Sequence, residues 1–163
     1  MTIADSFLPE FEQEMTTTRT MLARVPDGKG DWRPHPKSFP LAHLAQLVAR
    51  MPGWITNVVQ ETSLDLAQGA AYSTETTPTL LALFDKNVQD ARQALAATAD
   101  DAFAIEWSLQ MGAKTLFTDS RRNVVRQTIN HLVHHRGQLS VYLRLLDVPV
   151  PSIYGPTADE GWQ

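Results

Sequence analysis

The feature that most constrains this chain is one long helical pattern near its C-terminus. Over residues 119–146, Val124, Leu132, Leu139 and Leu146 recur on one side, and Asp119 or Ser120 stands ready to cap the start. Arg122, Arg126, Ser140 and Arg144 fall on the opposite side. Val148-Pro149-Val150-Pro151 ends the segment, because proline cannot continue a helix. A helix with one such apolar face buries that face against other helices.

Three further segments have the same period. Residues 5–23 place Phe7, Leu8, Phe11, Met15 and Leu22 on one face, with Asp5 or Ser6 as cap. Val25-Pro26-Asp27-Gly28-Lys29-Gly30 stops that helix. The prolines in Trp32-Arg33-Pro34-His35-Pro36-Lys37-Ser38-Phe39-Pro40 forbid regular helix, and Ser38 is the expected cap of the next one. Residues 41–60 carry the stripe Leu44, Leu47, Met51, Ile55 and Val58, with a kink expected at Pro52-Gly53. A polar stretch over 69–77 leads to a third helix at 78–98, whose buried side is Leu80, Leu81, Phe84, Val88, Ala91 and Leu95. Residues 103–117 lose the helical period. Trp107-Ser108-Leu109 and Lys114-Thr115-Leu116-Phe117 flank Met111-Gly112-Ala113 as a short hairpin or extended crossover. The expected fold class is all-α: a four-helix bundle with a short hairpin insertion before the last helix. Its unequal loops argue against the simplest up-down-up-down order.

Length and composition bound the function. At 163 residues the chain reads as a single domain spanning 1–163, large enough to bury a core. Its formal net charge of -4 argues against nucleic-acid binding, which needs a basic footprint. It has no Cys, which removes disulfides, zinc ribbons and any thiol nucleophile of its own. No run approaches the roughly 18 apolar residues of a membrane span. The acidic N-terminus, with Asp5, Glu10, Glu12 and Glu14, is wrong for a signal peptide, so a cytoplasmic setting is expected.

The last helix also carries the chemistry. His131 and His135 are four residues apart in His131-Leu132-Val133-His134-His135-Arg136-Gly137-Gln138. At about 100° per residue they lie about 40° apart, on one face with Gln138 and Tyr142. His134 falls on the flank, which makes His135 the partner of His131. Two adjacent imidazoles on the buried face need polar partners. From spacing alone a metal site and a polar core network are equally good accounts. His43, in the first turn of the second helix, supplies a third imidazole if that helix neighbours the last one. Three neutral imidazoles with an open position form the pattern of a catalytic metal site, suited to zinc, nickel, copper or iron.

Plainer readings cover the other candidates. His35, between prolines, reads as a loop residue, and Trp54 reads as core. Trp107 reads as hairpin packing before pocket wall. Arg136 reads as a surface or interface ion pair, and Gly137 turns away from the histidines. There is no His-Glu-x-x-His, no Glu-x-x-His repeat, no phosphate loop and no Gly-x-Ser-x-Gly elbow.

The loop Trp32–Phe39, then His43, then the run His131–Gln138, then the tail Val148–Pro156 together resemble the DinB/YfiT-like superfamily over nearly the whole chain. The Arg-Gly-Gln after the last histidine is the most specific part. The resemblance implies an up-down-down-up bundle, a zinc or nickel site on His43, His131 and His135, and a homodimer. It also implies metal-dependent enzymes, including thiol S-transferases that use a low-molecular-weight thiol and a mycothiol-dependent isomerase.

The leading expectation is therefore a metal-dependent transferase or hydrolase acting on a small electrophilic molecule. A metal-bound water or external thiolate would be the nucleophile, with Gln138 and Tyr142 as orienting groups. No residue is assigned as a catalytic acid or base. The alternatives are a bundle that binds without turnover, its metal structural or absent, and a metal-free bundle whose histidines are a core network.

Overall fold

The computed structural model describes residues 1–162. Four helices dominate: α1 (Ile3–Leu22), α2 (Leu41–Gln60), α3 (Thr77–Ala97) and α4 (Arg121–Leu145). A small sheet of β1 (Ser63–Asp65), β2 (Glu106–Met111) and β3 (Lys114–Ser120) stands beside them, in the order β1-β2-β3. The fold is mostly helical, and the sheet corrects the all-α expectation.

α1 begins earlier than the Asp5 or Ser6 cap predicted. Thr2 is the cap: its hydroxyl accepts from Asp5 N at 3.1 Å while the Asp5 carboxylate accepts from Thr2 N at 2.7 Å. α2 starts where predicted, but Ser38 does not cap it. Its first amides are satisfied by the preceding loop, Leu41 N donating to Trp32 O at 2.8 Å and Ala42 N to Gly30 O at 3.0 Å. Gly30 also lies close to the neighbouring loop, since a Cβ there would stand 2.6 Å from Thr74 Cγ2 and force that side chain to move. α2 continues through Pro52-Gly53, where Asn87 of α3 donates to Ala49 O at 3.0 Å.

The hairpin forms on the predicted segments, β2 over Trp107-Ser108-Leu109 and β3 over Lys114–Phe117, with its turn at Gly112. Phe103 sits in a short 3-10 turn and is buried in the core, and β3 runs on to Ser120, so α4 starts at Arg121. Gly112 makes the turn with φ at 58°, a conformation that suits glycine. The strand β1, unforeseen from the sequence, pairs in parallel with β2, Ser63 opposite Ser108. Asp65 pins the two together, accepting from Gly112 N at 2.8 Å and Ala67 N at 2.9 Å. Arg121 closes the junction: its backbone N–H donates to Ile105 O and its guanidinium to Glu61 O.

α1 packs against α3 and α4, and α2 packs against α3 and α4. The condition the sequence left open, that the His43 helix neighbours the His131–His135 helix, is therefore met. Phe11, Phe84, Phe103, Met51, Ile129 and Leu132 fill the centre. Among the described residues no helix is long and apolar enough to cross a membrane.

Candidate metal centre

The α-helical repeat puts His131 and His135 one turn apart on α4, and their rings converge. The two Nε2 atoms are 2.9 Å apart, with ring centroids 4.6 Å apart. His135 is buried at 8% exposure, whereas His131 sits on the open side of the pair beside a cavity. The expectation that both point into the bundle centre holds for His135 and not for His131.

The hydrogen bonds continue in one line. His135 Nδ1 meets Gln138 Oε1 at 2.8 Å, and Gln138 Nε2 meets His134 Nε2 at 3.0 Å. An amide oxygen only accepts, so His135 Nδ1 carries the proton and its Nε2 keeps a lone pair. That lone pair points at His131 Nε2, which donates to it in the absence of another electrophile. His134, exposed, ends the line and does not join the pair.

Burial lowers the pKa of His135, against the Gln138 hydrogen bond, which raises it. It also lowers that of His131, helped by repulsion from His135 and His134. Both rings are thus neutral at neutral pH and able to coordinate. Two nitrogens at about 2.0–2.1 Å from one tetrahedral metal are about 3.3 Å apart, close to the separation seen. In donor type, protonation and spacing, the pair fits a divalent transition metal. The Gln138 carbonyl is the kind of outer partner that holds a ligating imidazole in place.

His43 is placed differently. It is half-buried on α2, its ring stacked between Phe39 at 4.2 Å and Tyr72 at 3.7 Å, both nearly parallel to it. Burial lowers its pKa, and repulsion from Arg50, and from His135 when that ring is protonated, pushes the same way. Among the described residues no three His, Cys, Asp or Glu side chains form a group that could hold a metal ion. The structure brings His131 and His135 together and leaves His43 in an aromatic stack alongside. His35 is exposed and closes a turn, its Nδ1 accepting from Lys37 N at 3.1 Å.

Several other readings change. Tyr142 donates to Phe39 O at 3.1 Å, so it steadies the loop that stacks on His43 and does not aim at the pair. Trp54 is half-buried, its ring 6.0 Å from that of His131, and it forms wall rather than core. Trp107 is 3% exposed and serves both readings, packing under the hairpin and lining the cavity beside His131. Arg136 is buried at 3% exposure and paired with Glu14 at 2.7 Å, not at the surface. The stack on His43 was missed because Phe39 and Tyr72 come from loops without a period. The only sequence signal was their aromaticity.

Residues 1–162 match the DinB family. The chain belongs to that family. Two solved structures of DinB-like proteins share the fold. The one from Bacillus cereus is 21% identical, with a TM-score of 0.71 over 92% of this chain and 97% of its own. The one from Bacillus subtilis is 18% identical, with a TM-score of 0.67 over 92% of this chain and 95% of its own. No curated protein matches the chain.

Proposed function

We propose that this DinB protein is a metal-dependent enzyme of transferase or hydrolase type, acting on a small electrophilic molecule. His131 and His135 hold the metal, zinc or nickel, with His43 from the neighbouring helix as third ligand. The observation that carries this reading is the convergence of the two Nε2 atoms, with the His135 tautomer fixed by Gln138. When bound, the metal supplies Lewis acidity, which ionises a water or an external thiol near neutral pH. The chain has no Cys, so any thiol comes from a low-molecular-weight co-substrate. Gln138 orients His135, and Tyr142 steadies the Phe39 loop against His43. An up-down-down-up helix order, a single domain over 1–163, a homodimer and a cytoplasmic setting belong to the same proposal.

Elemental analysis and calorimetric titration of untagged protein test it. The expected result is about one equivalent of zinc or nickel, lost in His131→Ala, in His135→Ala and, less completely, in His43→Ala. Full occupancy in the His131→Ala/His135→Ala variant overturns the assignment. A second reading, a metal-free bundle whose histidines are a core network, draws support from the stacked His43. It predicts that chelation leaves the melting temperature unchanged.

A further inference from the structure

α2, α4 and the sheet enclose a cavity of about 320 Å³ next to the histidine pair, with His131 on its wall. Its surface is hydrocarbon and aromatic, and among the described residues no Asp, Glu, Lys or Arg lines it. The polar atoms nearby are turned to other tasks. The Trp107 indole N–H donates to Asn57 Oδ1 at 3.0 Å, which leaves its ring surface to the cavity. Thr128 donates to Val124 O at 2.8 Å, and the Gln127 amide donates to Asp119 at 3.3 Å. The ring of Phe117 stands 6.0 Å from that of Trp107 and, partly exposed, forms the rim with Leu66. The imidazole of His131 is the one ionisable group at the cavity wall among the described residues.

The geometry points to a binding site for an uncharged small molecule with an aromatic or other ring-shaped hydrocarbon body, whose polar end meets His131. The assignment names the substrate class of the proposed centre and rests on that reading of His131. The volume lies at the lower end of the about 300–1,000 Å³ of small-molecule sites. In the metal-free form a carboxylate or ammonium would lose its hydration there with no opposite charge to meet it. Aromatic walls favour a ring, because offset and edge contacts with aromatic partners add to simple burial.

The test compares 2-naphthol with 2-naphthoate, matched in size and differing in charge, near neutral pH. Both are titrated into the full chain after chelation and after zinc loading, with Trp fluorescence and amide NMR shifts as readouts. The expected result is that naphthol binds the chelated form at least about tenfold more tightly than naphthoate, with shifts at Leu109, Phe117 and Val124, and that zinc loading narrows the gap by giving the carboxylate a counter-charge. Phe117→Lys, at the partly exposed rim, keeps the core intact and is expected to turn the preference toward naphthoate. Equal binding of the two probes to the chelated form, shifts elsewhere, an unchanged preference in Phe117→Lys, or no naphthol binding in either form overturns the inference. Naphthol binding to a chain that takes up no zinc keeps the cavity assignment and removes the metal reading. Zinc uptake without naphthol binding does the reverse.

Discussion

His135 and Arg136 are consecutive, both buried, and enter opposite polar clusters. Arg136 meets α1 and the tail. Its guanidinium pairs with the Glu14 carboxylate and donates to Thr17 Oγ1 at 2.7 Å, Thr18 Oγ1 at 3.1 Å and Tyr154 OH at 2.7 Å. Tyr154 in turn donates to Glu14 at 2.8 Å. Both terminal nitrogens of the guanidinium, the phenol and the carboxylate have partners and each charge has its opposite, so the cluster is closed on itself. The His131–His135 cluster is not. It holds no charge, and its central contact joins two nitrogens that each carry one lone pair in the ligating tautomer. A buried polar group that is saturated acts as a fastener. One with lone pairs left to converge has capacity for a ligand.

The largest expected effect breaks the fastener. Glu14→Ala leaves the Arg136 guanidinium buried without its counter-charge, which costs about 3–5 kcal/mol in comparable cases. Urea denaturation of the variant reads this loss, while the histidine cluster, on the other face of α4, keeps its metal affinity. A loss below about 1 kcal/mol would mean that the tail opens to let Arg136 reach water, and the contrast between the clusters would fail.

A smaller effect tests the other side. Gln138→Ala removes the acceptor that sets the His135 tautomer, and outer partners of this kind are worth about 10–100-fold in metal affinity. Gln138→Glu restores an acceptor for Nδ1–H and is expected to recover most of that affinity. Stability should change little in either variant. If both bind zinc like the parent, the tautomer is set by something other than Gln138, and the line of hydrogen bonds is a consequence of packing.

The contrast also explains what the sequence could carry. Spacing by four placed His131 and His135 together and set His134 aside, because that relation is internal to one helix. The same phase turned Arg136 away from the histidines, yet it could not say that Glu14 of α1 and Tyr154 of the tail would meet it there. α2 was legible over its full length because its stripe and the prolines before it are local. Its cap was not, since the carbonyls of Gly30 and Trp32 replace Ser38 through a folded-back loop. β1 was missed because three residues have no period, and their pairing partner lies beyond α3. The stack of His43 between Phe39 and Tyr72 likewise joins two loops.

The smallest expected effect is an acid sensitivity that belongs to the histidine cluster. His131 and His135 both have pKa values lowered below the ordinary 6.5, first by burial. A base with a lowered folded-state pKa binds protons more readily when unfolded, so stability rises with pH across its titration. The contribution is fully present above about 6.5, the unfolded value, and is lost as pH falls from there through the folded values. The structural cause is visible in the contact itself. The neutral pair needs one proton between the two Nε2 atoms, and a second places two donors face to face. The Gln138 carbonyl works the other way, since it suits the imidazolium as well as the neutral ring, and this keeps the slope shallow. Thermal melts of metal-free protein between neutral and mildly acidic pH should therefore show a gentle fall. The slope should flatten in His131→Ala/His135→Ala and persist in Tyr154→Phe, which loosens only the other cluster. A slope that survives the double histidine variant would move the acid sensitivity to His43 in its stack.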